Sequence, residues 1–291
     1  MDEAMSALPK RFDSAAPALV AREISSRLRR MSDPVRARGA QQYFKHEIIA
    51  LGIATPELRA FVRECIDKLR PCWQGRQAVE LCDRLLREPE LEIRGTGFLI
   101  LGGFPKLLTP DLLRQAEGWC QRRLDNWALV DGFCSAVLSP WLKRHPEAED
   151  QIVAWSTAKS LWLRRAALVT LVPFARRGLR LDAAYRLARE HFADSEDLIH
   201  KATGWLLREA GKTDMPRLRR FLLRHGPDIP RTALRYAIER FPLTERQTLL
   251  RLTRGPVSRA LHRLPRNSTR VKRTPTTQSR PRRLNPAAAE F

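Results

Sequence analysis

Three observations in the sequence predict an all-α solenoid of about six stacked helix pairs. Apolar residues recur at helical spacing along nearly every segment between residues 14 and 253. Prolines punctuate that pattern, and a charged residue followed by a short one returns about every 35 residues.

The apolar stripes are clear in single segments. Leu161, Leu163, Leu168, Leu171 and Val172 form one, and Leu198, Ile199, Trp205 and Leu206 another. Breaks at Pro34, Pro56, Pro71, Pro89, Pro105, Pro110, Pro146, Pro216, Pro227 and Pro230 divide the chain into helices of roughly 10–18 residues. No run alternates with strand period, and no Asn-Gly or Asp-Gly hairpin joins two such runs.

The recurring pairs are Arg59-Ala60, Arg94-Gly95, Asp131-Gly132, Arg165-Ala166, Lys201-Ala202 and Arg231-Thr232, at spacings of 35, 37, 34, 36 and 30 residues. A period near 35 in a helical chain marks a two-helix unit that buries its apolar face against its neighbours. Stacking then sets equivalent positions in a row along one curved surface. The short residue beside each charge is expected to let neighbouring helices approach closely.

Charge bears on partners. Lys and Arg number 53 against 32 acidic residues, a net +21, which attracts polyanions. Residues 254–291 carry ten Lys or Arg and one acidic residue, so +9 belongs to the tail and 43 − 31 = +12 to residues 1–253. From Ser268 to Pro286 the chain mixes Thr, Ser, Pro, Gln and Arg with almost no large apolar groups. Such a stretch cannot bury enough surface to offset its ordering entropy. It reads either as a disordered arm making sequence-blind phosphate contacts or as a solubilising tail.

The five cysteines, Cys65, Cys72, Cys82, Cys120 and Cys134, form no CxxC pair and read as buried free thiols of a reducing compartment. With no signal-type apolar core and no membrane-length run, the expected setting is soluble and cytoplasmic. Nothing in the sequence calls for more than a monomer. His46, His145, His191, His200, His225 and His262 form no HExxH and no zinc-type cluster, so no metal and no cofactor is expected. Gly95-Thr96-Gly97 and Gly102-Gly103 lack the Lys-Ser/Thr ending and preceding strand of a phosphate loop. Cys134 has no sequence-matched base and reads as a packing residue.

Five rungs of the ladder are basic, so Arg59, Arg94, Arg165, Lys201 and Arg231 would line a phosphate-binding groove. Asp131 is the exception, since a phosphate backbone repels a carboxylate. It reads either as an ion-pair partner for a neighbouring rung such as Arg165 or as a catalytic group that stabilises cationic charge on a substrate. Trp127 lies four residues before Asp131, Trp162 three before Arg165 and Trp205 four after Lys201, each on its rung's helix face. Tryptophan faces beside a carboxylate suit a sugar or a cation.

Four segments, in order, resemble the AlkD-type DNA alkylation repair family. They are YFKHEIIALGIATPELR (Tyr43 to Arg59), NWALVD (Asn126 to Asp131) followed by KRHPE (Lys143 to Glu147), SLWLRRAA (Ser160 to Ala167), and HKATGWLLREAGK (His200 to Lys212). The resemblance spans roughly residues 20–240. It implies a stack of HEAT-like repeats whose concave basic face cradles duplex DNA carrying alkylated bases. The implied activity is a DNA glycosylase that removes cationic N3- or N7-alkylated purines in base excision repair, DNA-associated within a bacterial cytoplasm. Asp131 corresponds to the family's catalytic aspartate, Trp127 and Trp205 to its active-site tryptophans, Arg165 to its backbone-holding arginine and Tyr43 to a tyrosine near the DNA. Where family members often carry an acidic residue after the first tryptophan, this chain has Ala128. The alternative from another class is a non-catalytic helical-repeat scaffold binding nucleic acid or an acidic protein.

Overall fold

The computed structural model describes residues 16–254. The first half forms α1 (Pro17–Arg30), α2 (Pro34–Ala40), α3 (Thr55–Leu69), α4 (Gly75–Leu85), α5 (Leu91–Gly102), α6 (Leu112–Arg122), α7 (Trp127–Phe133) and α8 (Ser139–Arg144). The second forms α9 (Glu149–Ala154), α10 (Leu161–Ala175), α11 (Leu181–Glu190), α12 (Asp197–Ala210), α13 (Met215–His225), α14 (Arg231–Ala237) and α15 (Leu243–Leu252). Among the described residues there is no strand, only an isolated bridge between Ile49 and Glu90. The reading of the basic tail falls on residues outside those described.

Helix starts follow from local chemistry. Pro17, Pro34, Pro56 and Pro216 stand in first turns, where a missing N–H costs nothing and φ is already helical. Side chains of Asp33, Asn126, Ser160 and Asp214 accept from the first free N–H groups of α2, α7, α10 and α13. All ten dividing prolines lie in connections or first turns.

Two other prolines sit inside helical runs. Pro140 interrupts the continuous run 127–144, where α7 passes into α8 through a π turn, Cys134–Leu138. Proline has no N–H for the carbonyl four residues back, and a widened turn absorbs that defect. The carbonyl in question, that of Ala136, faces Gly102, where an added Cβ would lie 2.5 Å from it. Pro173 lies within α10, and beside it Ser139 Oγ donates to Thr170 O at 2.9 Å.

The six rungs fall on α3, α5, α7, α10, α12 and α14, one per helix. These helices pack on one another in sequence order and make an inner row, with α4, α6, α11, α13 and α15 in an outer row. Buried leucines and alanines fill the space between, among them Leu81, Leu129, Leu168, Leu206 and Leu234. The short residue after each rung plays its expected part only in places. Ala166 and Ala202 are fully buried, but Ala60 is exposed. Close approach is made more sharply at Gly204, where a Cβ would lie 2.4 Å from both Ala233 O and Tyr236 Cβ.

Two glycine substitutions should therefore act in opposite directions. Gly204→Ala must push backbone away and is expected to cost about 1–3 kcal/mol. Gly39→Ala meets nothing within 4 Å and should stabilise α2 by about 0.5–1 kcal/mol through helix propensity. Urea denaturation midpoints of the two variants check both signs.

Candidate active site

A cleft of about 1300 Å³ runs along the inner row. Its walls come from the segment 43–49 and from α3, α5, α7, α10, α12 and α14. The segment is held by its own polar groups. Gln41 donates to His46 O at 2.8 Å and accepts from Ile48 N at 3.0 Å. Buried Glu92 accepts from Leu51 N at 2.8 Å and Gly52 N at 2.7 Å.

Five of the six rungs line the cleft: Arg59, Arg94, Asp131, Arg165 and Lys201. Tyr43, Trp127, Trp162 and Trp205 join them. Arg231 does not. Its guanidinium turns to the end of α15, donating to Thr253 Oγ1 and Leu250 O at 3.1 Å each. The residue of α14 that reaches the cleft is Tyr236, 35 positions after Lys201.

The centre of the cleft is an ion pair between α7 and α10. Arg165 Nε donates to Asp131 Oδ1 at 2.8 Å, and Arg165 Nη2 to Oδ2 at 2.6 Å. Arg165 Nη1 donates to Leu198 O at the start of α12. The arginine is only 5% exposed, while the Asp131 side chain keeps 15% of its surface open. Burial raises the Asp131 carboxyl above the ordinary aspartate range, against the opposing pull of Arg165.

Most other cleft cations are also engaged by protein. Arg94 spans both Asp125 carboxylate oxygens at 3.0 Å and donates to Arg123 O. Lys201 pairs with Asp197 at 2.8 Å. Farther along, buried Glu209 gathers Arg176 at 2.7 Å and Lys212 at 2.6 Å, and Arg208 reaches Glu239.

Several cleft residues escaped the sequence reading. Phe44 stacks on Trp127 with centroids 5.3 Å apart and planes 19° from parallel. Arg176, Arg208, Lys212 and Arg240 also line the cleft. Arg208 and Lys212 lie inside the last family-like segment but off the rung register. The Trp205 Nε1 donor is buried without a hydrogen-bond partner among the described residues.

Other candidate groups are settled by their surroundings. Cys134 is fully buried, its Sγ near Ala166 O, and burial pushes its thiol up to about 12, which suits packing and not nucleophilic attack. His200 Nε2 lies 2.6 Å from Asp194 O. Ala128 is 3% exposed and packs away from the cleft. Among the described residues no three His, Cys, Asp or Glu side chains form a metal-holding group, and no helix is long and apolar enough to cross a membrane.

Comparison with known proteins places this architecture. A solved chain titled "Predicted DNA alkylation repair enzyme from Enterococcus faecalis" superposes with a TM-score of 0.65 at 18% identity, over 73% of this chain and 98% of that one. At that identity the likeness is one of fold. No curated protein matches the sequence. The family model for DNA alkylation repair enzymes matches residues 24–241, from within α1 to just past α14. The chain thus belongs to the DNA alkylation repair enzyme family.

Proposed function

We propose that the protein is a DNA glycosylase that hydrolyses the N-glycosidic bond of cationic N3- or N7-alkylated purines in duplex DNA. The observation that carries this reading is the Asp131 carboxylate, fixed by Arg165 at two oxygens in a cleft shared with three tryptophans. A purine alkylated at N3 or N7 is already positively charged and leaves without protonation. The protein must then stabilise positive charge growing on the deoxyribose and direct a water to it. One carboxylate in a partly desolvated site does both.

Arg165 positions that carboxylate. Both Asp131 oxygens are engaged, so the group cannot rotate, and the Leu198 carbonyl holds the guanidinium in turn. Fixed geometry of this kind removes reorganisation from the reaction. The guanidinium N–H groups not engaged by Asp131 and Leu198 remain for a phosphate oxygen beside the lesion. Trp127 and Trp205 offer ring faces to the sugar. Tyr43, Arg59, Arg94 and Lys201 line the path of the DNA backbone, and phosphate contacts of this type position a duplex without reading its sequence.

The rival reading is a DNA-binding scaffold in which Arg165 and Asp131 form a purely structural pair. What favours it is the completeness of that pair, which a non-catalytic protein would make equally well.

Duplex DNA carrying 7-methylguanine separates the two readings. The wild-type chain should release free base, and Asp131→Asn should lower the rate by at least about 100-fold while retaining DNA binding. Absence of release by the wild type, despite salt-sensitive binding, would leave the scaffold. Uracil, a neutral leaving group, should not be released at a comparable rate.

The pH profile supplies a second check. Asp131 works as a carboxylate, and burial raises its carboxyl. Activity should therefore fall with decreasing pH through a midpoint above the ordinary aspartate value of about 4. Arg165→Gln removes the cation that favours ionisation, so its acid limb should move to still higher pH, with kcat/KM reduced at least about tenfold. An unmoved acid limb in Arg165→Gln would remove Arg165 from the positioning role.

A further inference from the structure

A second, smaller pocket of about 600 Å³ opens in the outer row, between α11 and α13. No residue of these two helices lines the inner cleft. The floor is aromatic. Tyr185 and Phe221 have centroids 4.8 Å apart, and Phe221 and His225 also 4.8 Å apart. Phe192 backs both at 6.0 Å and 6.3 Å. The rim is basic, with Arg186 and Arg189 from α11 and Arg224 from α13, alongside the single carboxylate Glu190. All three arginines are exposed.

Two features of this pocket have no internal explanation. In the inner cleft, Arg94, Arg165, Arg176, Lys201, Arg208 and Lys212 each hold a carboxylate. At the outer pocket, none of Arg186, Arg189 and Arg224 pairs with a carboxylate among the described residues, although they converge on one opening. Like charges gathered without counterions raise the local positive potential and favour an anion. Tyr185, moreover, is 5% exposed and its buried hydroxyl has no hydrogen-bond partner among the described residues. A buried hydroxyl left unmatched is costly, and the Tyr185 side chain that carries it is part of the pocket wall. Arg217, over the Tyr185 ring at 4.6 Å, pairs with Asp182 and is not the missing partner. His225 is held below its usual range by burial and by Arg189 and Arg224, so at neutral pH it presents an uncharged ring.

We propose that this outer pocket binds a nucleotide unit. Its base lies against Phe221 and His225, beside the Tyr185 side chain, and its phosphate lies among Arg186, Arg189 and Arg224. Aromatic faces beside arginines are the pairing that single-stranded nucleic acids use, because every base has a π-face and every link a phosphate. A free nucleotide and one unit of a single strand share this chemistry. The floor supplies stacking area that inorganic phosphate alone would not use.

The test uses the full chain and two probes, deoxyadenosine monophosphate and a fluorescein-labelled oligothymidylate. The triple variant Arg186→Ala, Arg189→Ala, Arg224→Ala is set beside a control of equal charge loss, Arg63→Ala, Arg76→Ala, Arg114→Ala, at exposed positions elsewhere. The pocket variant should weaken at least one probe by about tenfold or more, while the control, acting only through long-range charge, should weaken it by less than about threefold. Loss for the mononucleotide assigns the pocket to free nucleotides as well, and loss for the oligomer alone assigns it to single strands. Phe221→Leu should weaken the affected probe while leaving competition by inorganic phosphate unchanged. Equal losses in the two triple variants, or no loss in either, overturns the proposal. Base release from alkylated duplex by the pocket variant keeps this result separate from the fate of the inner cleft.

Discussion

A guanidinium buried between adjacent repeats organises the inner face of this protein. Arg165 belongs to α10, yet its donors reach back to Asp131 on α7 and forward to the Leu198 carbonyl that opens α12. Three successive inner helices are thereby fixed by one side chain. The desolvation cost of such a group is met only if its donors find acceptors of good geometry, and here both neighbouring repeats supply them. Arg94 repeats the device two rungs earlier, tying α5 to Asp125 and Arg123 at the entrance of α7.

This use of charge alters how the net +21 is understood. A basic sequence suggests a groove of loose cations awaiting phosphate. Instead, the cleft is a lattice of ion pairs whose positions are already set. Substrate then meets groups that need little reordering, which lowers the entropic cost of association. Preorganisation also suits the role proposed for Asp131, which depends on the direction of its oxygens more than on its charge alone.

Much of this was legible in the sequence. Proline punctuation marked the connections because proline fits a first turn and fails in a helix interior. The rung period located five of six inner positions because stacked repeats share one rotational phase. Arg231 failed for a visible reason: its spacing from Lys201 is 30 and not about 35, so it sits on a different side of its helix, and Tyr236 occupies the cleft position. Phe44 could not be found by period, since it lies in a connection where no helical repeat constrains side-chain direction. Among the cation partners, Asp131 with Arg165 could be named because both stand on adjacent rungs, whereas Arg94 with Asp125 could not, since Asp125 lies off the rung register and the contact depends on how repeats pack. The family-like segments gave Asp131, Trp127 and Trp205 as a set, and the fold brings all three to one cleft.

The π turn at Cys134–Leu138 has a consequence for the phase of the helix that carries Asp131. In a regular helix the cleft-facing stripe of Asp131 and Ser135 would continue to Leu138 and Leu142. Both leucines are fully buried instead. One extra residue in the turn retards the helix by about 100°, so a single rod shows polar groups to the cleft along its first half and leucines to the interior along its second. The turn works as a phase shifter, letting one helix serve two surfaces that a straight one would have to divide between two.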